Sequence, residues 1–153
     1  MRARMNPYAA APEAIAALRA LDSYVKGCGL EHSLLELVKI RASQINGCSY
    51  CLHIHTREAR AAGETEERVH LIAAWRESPL YTPRERAALA WTEAMTLVAQ
   101  SHAPEADYQA AKTQFDEAEL VKLTLLIGTI NLWNRIAIGF QLIHPVAAPA
   151  PTN

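Results

Sequence analysis

The stretch from Leu120 to Phe140 constrains the fold most, because its residues are apolar on nearly every side of a helix and not along one stripe. Such a helix has to be surrounded by other elements. Asp116 followed by Glu119 supplies its start signal, and Lys122, Asn131, Asn134 and Arg135 interrupt the run too often for a membrane span. The expectation is a central buried helix inside a cage of others. Asn131, Asn134 and Arg135 then either satisfy one another at a subunit interface or line a pocket.

The surrounding helices follow in chain order. Pro12-Glu13 suits a first turn, and Ile15, Leu18, Leu21 and Val25 recur at helical spacing up to Gly27 and Gly29, predicting a helix over 12–26. Ser33 with Glu36 has the capping-box pattern, and Leu34, Val38, Arg41 and Ile45 carry a second helix to the Asn46-Gly47 turn. A third runs from Cys48 to Ala62 and is closed by Gly63. Thr65 caps a fourth that turns Val69, Ile72 and Trp75 or Ala73 inward and ends before Pro79. Thr82-Pro83-Arg84-Glu85 opens a fifth carrying Leu89, Met95 and Val98, and Pro104-Glu105 opens a short sixth reaching Phe115. No β-branched run lies between hairpin turns, and no internal repeat occurs. The class is all-α, a single-domain helical bundle of about six or seven helices. It occupies 12–142, between an N-terminal arm over 1–11 and a Pro/Ala-rich tail over 143–153.

Composition narrows the function. The chain has 153 residues, half of them hydrophobic, which suffices for one domain with its own core. Its 15 Lys+Arg against 16 Asp+Glu leave a net charge of -1 with no basic run, which argues against a nucleic-acid partner. No apolar stretch follows Met1-Arg2-Ala3-Arg4 before Asn6-Pro7, so no secretory signal is read and a cytoplasmic protein is expected. Three cysteines make an odd count for a disulfide framework, and a CxxC pair in a cytosolic chain reads as redox or metal chemistry.

Cys48, Cys51 and His55 fall within an arc of roughly 60° on one helical face. They stand where a helix begins, so unpaired backbone N–H groups and the dipole favour a thiolate there. Thiolate attack on a peroxide gives a sulfenic acid, which a nearby thiol condenses into a disulfide. Cysteines at i and i+3 are close enough for that bond. His55, one turn on, is placed to take a thiol proton, and Glu36 on the preceding helix to orient it. The helix terminus favours Cys48 as the thiolate, while the histidine favours Cys51.

The same residues carry other readings. Glu36 fits a capping box with Ser33; the CxxCxxxH set with Glu36 offers zinc ligands, without a second pair at finger spacing; and the two cysteines suit an inert buried pair. Cys28, between glycines, reads as a small apolar filler. His53 lies about 200° round the helix from Cys51. The isolated His32, His70, His102 and His144 read as surface or capping residues, and Trp75, Trp91 and Trp133 as core or subunit contacts.

Glu36 followed by Cys48-x-x-Cys51-x-x-x-His55 resembles the AhpD-like alkylhydroperoxidases of the carboxymuconolactone decarboxylase superfamily. The segments 41–48, 55–60, 82–91 and 131–135 read as that family does, so the resemblance covers most of Leu30 to Phe140. It implies an all-helical domain that assembles into a homo-oligomer, trimer or hexamer. It also implies a peroxidase that reduces hydroperoxides through the cysteine pair, with re-reduction by an external dithiol, lipoyl or thioredoxin-like, and neither cofactor nor resident metal. Carried over, Cys51 is the peroxidatic thiol, Cys48 the resolving and reductant-facing thiol, His55 the base and Glu36 its partner. Tyr50 departs from the pattern, since the best-known members place a histidine directly before the second cysteine. Decarboxylases of the superfamily do not carry the pair, which disfavours lactone decarboxylation. The alternative is a thiol switch or zinc-binding module without turnover on the same residues.

Overall fold

The start and stop signals become the joints of the structure. The structure, a computed structural model, describes residues 2–146. The described residues form one all-α domain without a strand. Its helices are α1 (Pro7–Ala10), α2 (Pro12–Lys26), α3 (His32–Asn46), α4 (Ser49–Ala61), α5 (Glu66–Leu71), α6 (Pro83–Thr96), α7 (Val98–Ser101), α8 (Glu105–Lys112) and α9 (Glu117–Gly139). Ile72–Ala74 extends α5 as a 3₁₀ turn. The one-turn α1 and α7 are additions to the expected set. The tail expected over 143–153 lies outside the described residues from position 147 on.

Capping chemistry works as read at three joints. Thr82 with Glu85 and Asp116 with Glu119 form reciprocal capping boxes, and Thr65 Oγ1 accepts from the Arg68 N–H. The Ser33–Glu36 box does not form. Glu31 is the N-cap of α3, so Ser33 sits inside the first turn and the Glu36 carboxylate turns into the protein, where only 2% of the residue is exposed. Val98 also departs from expectation. The helix breaks at Leu97 (φ −102°, ψ 30°), and Val98 restarts on α7 with 47% exposure because the inward stripe of α6 does not continue past the break.

The turn at Gly47 matters most to the site. Gly47 adopts φ +68°, a conformation that costs most other residues about 1 kcal/mol. Its N–H reaches Gln44 O at 3.2 Å while the Cys48 N–H reaches Ser43 O at 2.9 Å, the paired closure of a helix end. Two residues therefore separate α3 from α4. That sets the two helices side by side with Cys48 as the N-cap of α4.

α9 is the expected central helix, burying Leu120, Leu123, Leu126, Ile127, Ile130 and Ala137 against α3, α6 and their neighbours. Its asparagines are buried between helices. Asn134, fully buried, donates to Ser43 Oγ at 3.0 Å and accepts from Asn46 Nδ2 at 2.8 Å. Asn131 accepts from the same Asn46 amide at 2.9 Å and donates to Thr96 Oγ1 at 3.0 Å. Arg135 completes the seam, donating to Asn131 O at 2.9 Å. The seam crosses the greasy core and fixes the register of α9 against α3 and α6, because each amide has only one place where its bonds are met. The N-terminal arm is tied to the same helix, with the Arg4 N–H on Phe140 O and its guanidinium on Gly139 O, both at 2.9 Å. Among the described residues no helix is long and apolar enough to cross a membrane.

Asn134→Ala leaves Ser43 without its partner and Asn46 with Asn131 alone, and urea unfolding is expected to show a loss of about 2 kcal/mol. An unchanged midpoint would mean that the seam does not hold the bundle.

Candidate active site

The α3–α4 turn delivers two cysteines, a histidine and a glutamate to one region. Cys48 accepts the Cys51 N–H on its Sγ at 3.3 Å, as an N-cap serine oxygen would. The hydrogen bond from Cys51 holds the Cys48 thiol at about 7, against burial, with help from the Asn134 amide. Cys51 is pushed the opposite way, by donating to Cys48 and by its own burial. Both shifts favour the charge on Cys48, as the helix terminus does.

His55 lies one turn beyond Cys51. Its Nδ1 stands 2.9 Å from Glu36 Oε2 and 3.4 Å from Glu58 Oε2. The other Glu36 oxygen takes the Lys39 ammonium at 2.7 Å. Burial drives the Glu36 carboxyl up, but His55 and Lys39 together hold it below the ordinary value. Burial drives His55 down, and the two glutamates more than offset it, leaving the ring more basic than usual. No hydrogen bond joins His55 to either sulfur among the described residues. With Nδ1 committed to the carboxylates, Nε2 is left for the cavity that the ring lines.

The cysteines open onto different spaces. Cys51 and His55 line a cavity of about 240 Å³ with an aliphatic and aromatic wall of Ile54, Trp133, Ala137 and Leu142 and a polar mouth of Tyr8, Asp22, Lys26 and Glu58. Cys48 lines a separate trough of about 420 Å³ with Gly47, Ser49, Ile138, Ile143 and His144. Tyr50, Ala137 and Leu142 belong to both and form the wall between them. Burial, with Tyr50 beside it, raises the Tyr8 hydroxyl above its ordinary value.

All four site residues read from the sequence are brought together, and Glu36 does so without the capping role. Cys28 packs against the core as a filler, and His53 stacks on His144 away from the cavity, with ring centroids 4.5 Å apart. Trp75 and Trp91 are core residues, whereas Trp133 faces the cavity. Sequence reasoning missed Tyr8, Lys26 and Glu58. Glu58 had a signal, since it continues the Cys51–His55 stripe at i+3; Tyr8 and Lys26 arrive from α1 and α2 with none.

An all-helical domain that seats a CxxC pair at a helix N-terminus beside a buried Glu–His pair defines the AhpD-like class. The chain belongs to the carboxymuconolactone decarboxylase family, which matches residues 9–94. It is 40% identical over 139 residues, 91% of the chain and 95% of the relative, to the uncharacterized protein YdfG of Bacillus subtilis. A crystal structure from Agrobacterium tumefaciens, of unknown function and assigned provisionally to antioxidant defence as AhpD, superposes with a TM-score of 0.93. It shares 46% identity over 95% of this chain and all of that one. The debrominase Bmp8 shares the fold, with a TM-score of 0.77 at 17% identity over 88% of this chain and 72% of that one.

Thiolate absorbance of the reduced protein should titrate with a midpoint of about 7. Cys48→Ser is expected to remove that step, and Cys51→Ala, which removes the Cys51 thiol but keeps the backbone N–H donor, to move it to higher pH. A step that survives in Cys48→Ser would place the resting charge on the other sulfur.

Proposed function

We propose that the protein is a thiol-dependent peroxidase that reduces organic hydroperoxides at Cys51. The observation that carries this is the position of Cys51 and His55 on one apolar-walled cavity, with Cys48 behind Cys51 and facing another space. A hydroperoxide held by the apolar wall presents its terminal oxygen to Cys51. The Cys51 proton passes to the neighbouring Cys48 thiolate. The freed Cys51 thiolate attacks, an S–O bond forms, the O–O bond breaks, and the sulfur is oxidised to sulfenic acid as alkoxide departs.

His55 supplies the alkoxide proton. The sequence reading cast this residue as the base; held between two carboxylates it enters the step as the conjugate acid and becomes the base afterwards. Cys48 then attacks the Cys51 sulfur, and its proton passes by way of the imidazole to the sulfenic hydroxyl, which leaves as water. One thiol, one thiolate, the imidazolium proton and one hydroperoxide give one disulfide, one alcohol and one water, and His55 is left neutral until it takes a proton from solvent. An external dithiol, lipoyl or thioredoxin-like, reduces the disulfide from the Cys48 trough. A cytoplasmic setting, which keeps dithiols reduced, and a trimeric or hexameric homo-oligomer complete the reading. In favour of assembly, Val121, Leu125 and Leu132 follow one another along α9 at 60%, 40% and 44% exposure.

Peroxide-dependent consumption of a dithiol tests the proposal. Wild type should turn over, Cys51→Ser and Cys48→Ser should not, and Glu36→Gln or His55→Asn should lose about 10²–10⁴-fold. A wild type that consumes no dithiol but retains stoichiometric zinc would favour the thiol-switch or metal-binding alternative.

A further inference from the structure

His55 needs a net countercharge, and Glu36 does not supply one. The Glu36 carboxylate is shared with the Lys39 ammonium at 2.7 Å, and both side chains are within a few per cent of full burial. That pair is neutral as a unit. An imidazolium placed against it would be buried with its charge unbalanced, a costly arrangement. The second carboxylate on the same ring nitrogen, Glu58 Oε2 at 3.4 Å from Nδ1, is the group that restores the balance.

We propose that Glu58 is a positioning residue that keeps His55 protonated by sharing Nδ1 with Glu36, so that the imidazole can act as the acid in alkoxide release. This rests on the peroxidase reading above. Glu58 is suited to the role by its place on the chain. It lies three residues past His55 on the same face of α4 and lines the same cavity as Cys51. Its side chain is 45% exposed against 2% for Glu36, and His55, with Lys26 and Lys39 at longer range, favours its ionised form.

The other charged and titratable groups around the ring do not duplicate it. From α3 come only Glu36 and Lys39, which cancel. From α2 come Asp22 and Lys26, joined to each other at 3.1 Å across the cavity mouth. From α1 comes the Tyr8 phenol, and on α4 lie Tyr50 and the Cys48–Cys51 pair, whose negative charge sits on the far sulfur.

The test is a ring-resonance titration of the reduced full-length chain by NMR, with the His55 signal assigned by its loss in His55→Asn. In Glu58→Gln the protonated ring loses a partner, so its midpoint should fall by about one pH unit. The alkaline limb of the peroxidase pH profile should fall with it, because the acid form disappears at lower pH. Glu58→Ala should behave alike. Asp22→Asn removes a charge from the same mouth without touching Nδ1 and should move the midpoint far less. An unmoved midpoint in both Glu58 variants, or an equal shift in Asp22→Asn, overturns the assignment. A wild type inert toward hydroperoxides sinks the activity reading and the acid role with it; a wild type that turns over beside an unmoved Glu58→Gln midpoint overturns Glu58 alone.

Discussion

A buried carboxylate that must be paired on both oxygens fixes how α4 lies on α3. Glu36 faces inward and cannot be left unpartnered in the core. One oxygen takes Lys39, a turn away on its own helix; the other takes His55, from the next helix. A shift of α4 by one residue would carry the imidazole about 100° round its axis and leave one Glu36 oxygen unpaired. The pair therefore fixes the register that also decides where Cys48 and Cys51 point. Replacing such a pair by apolar side chains is often no loss in stability. Its retention here makes sense through the geometry it imposes.

Beside that ion pair the core is crossed by polar contacts. The Ser43–Asn134–Asn46–Asn131 seam contains the Asn134 amide that favours the ionised form of each sulfur. A single asparagine thus joins the register of the central helix to the electrostatics of the site. The wall of Tyr50, Ala137 and Leu142 has a comparable double role, since it separates the space beside Cys51 from the space beside Cys48. Two chemically different reactants can be met from two sides of one dithiol without sharing a channel. The fold alone does not choose the reaction. A debrominase at 17% identity has the same architecture, so the argument for peroxide chemistry rests on these side chains and not on the helices that carry them.

Much of the architecture was legible because helices are governed by local rules. Capping pairs at Thr82–Glu85 and Asp116–Glu119, glycines at 47 and 63 and the all-round apolar run of α9 each act over a few residues, and each appears as read. The errors have a common origin. Ser33–Glu36 met the pattern of a cap, but a long-range partner for Glu36 outweighed a local bond. For Asn131 and Asn134 an interface or a pocket stood open, because their partners, on α3 and α6, are separated from them by 35 to 91 residues. Trp133, read as a core or subunit contact, packs on the core and also lines the cavity.

The sequence by itself determined the helical class and the stripe of Cys48, Cys51 and His55, because spacing on one helix follows from the pitch of the backbone. It set two thiols near a histidine and named Glu36 as the partner of that histidine, but left open which thiol would hold the charge. The tertiary structure bears on that by bringing Asn134 from α9 to the pair. It also added Glu58 to the same nitrogen as Glu36 and opened the two sulfurs onto separate spaces. Those outcomes depend on groups brought together from distant parts of the chain, and no local periodicity encodes which of them will meet.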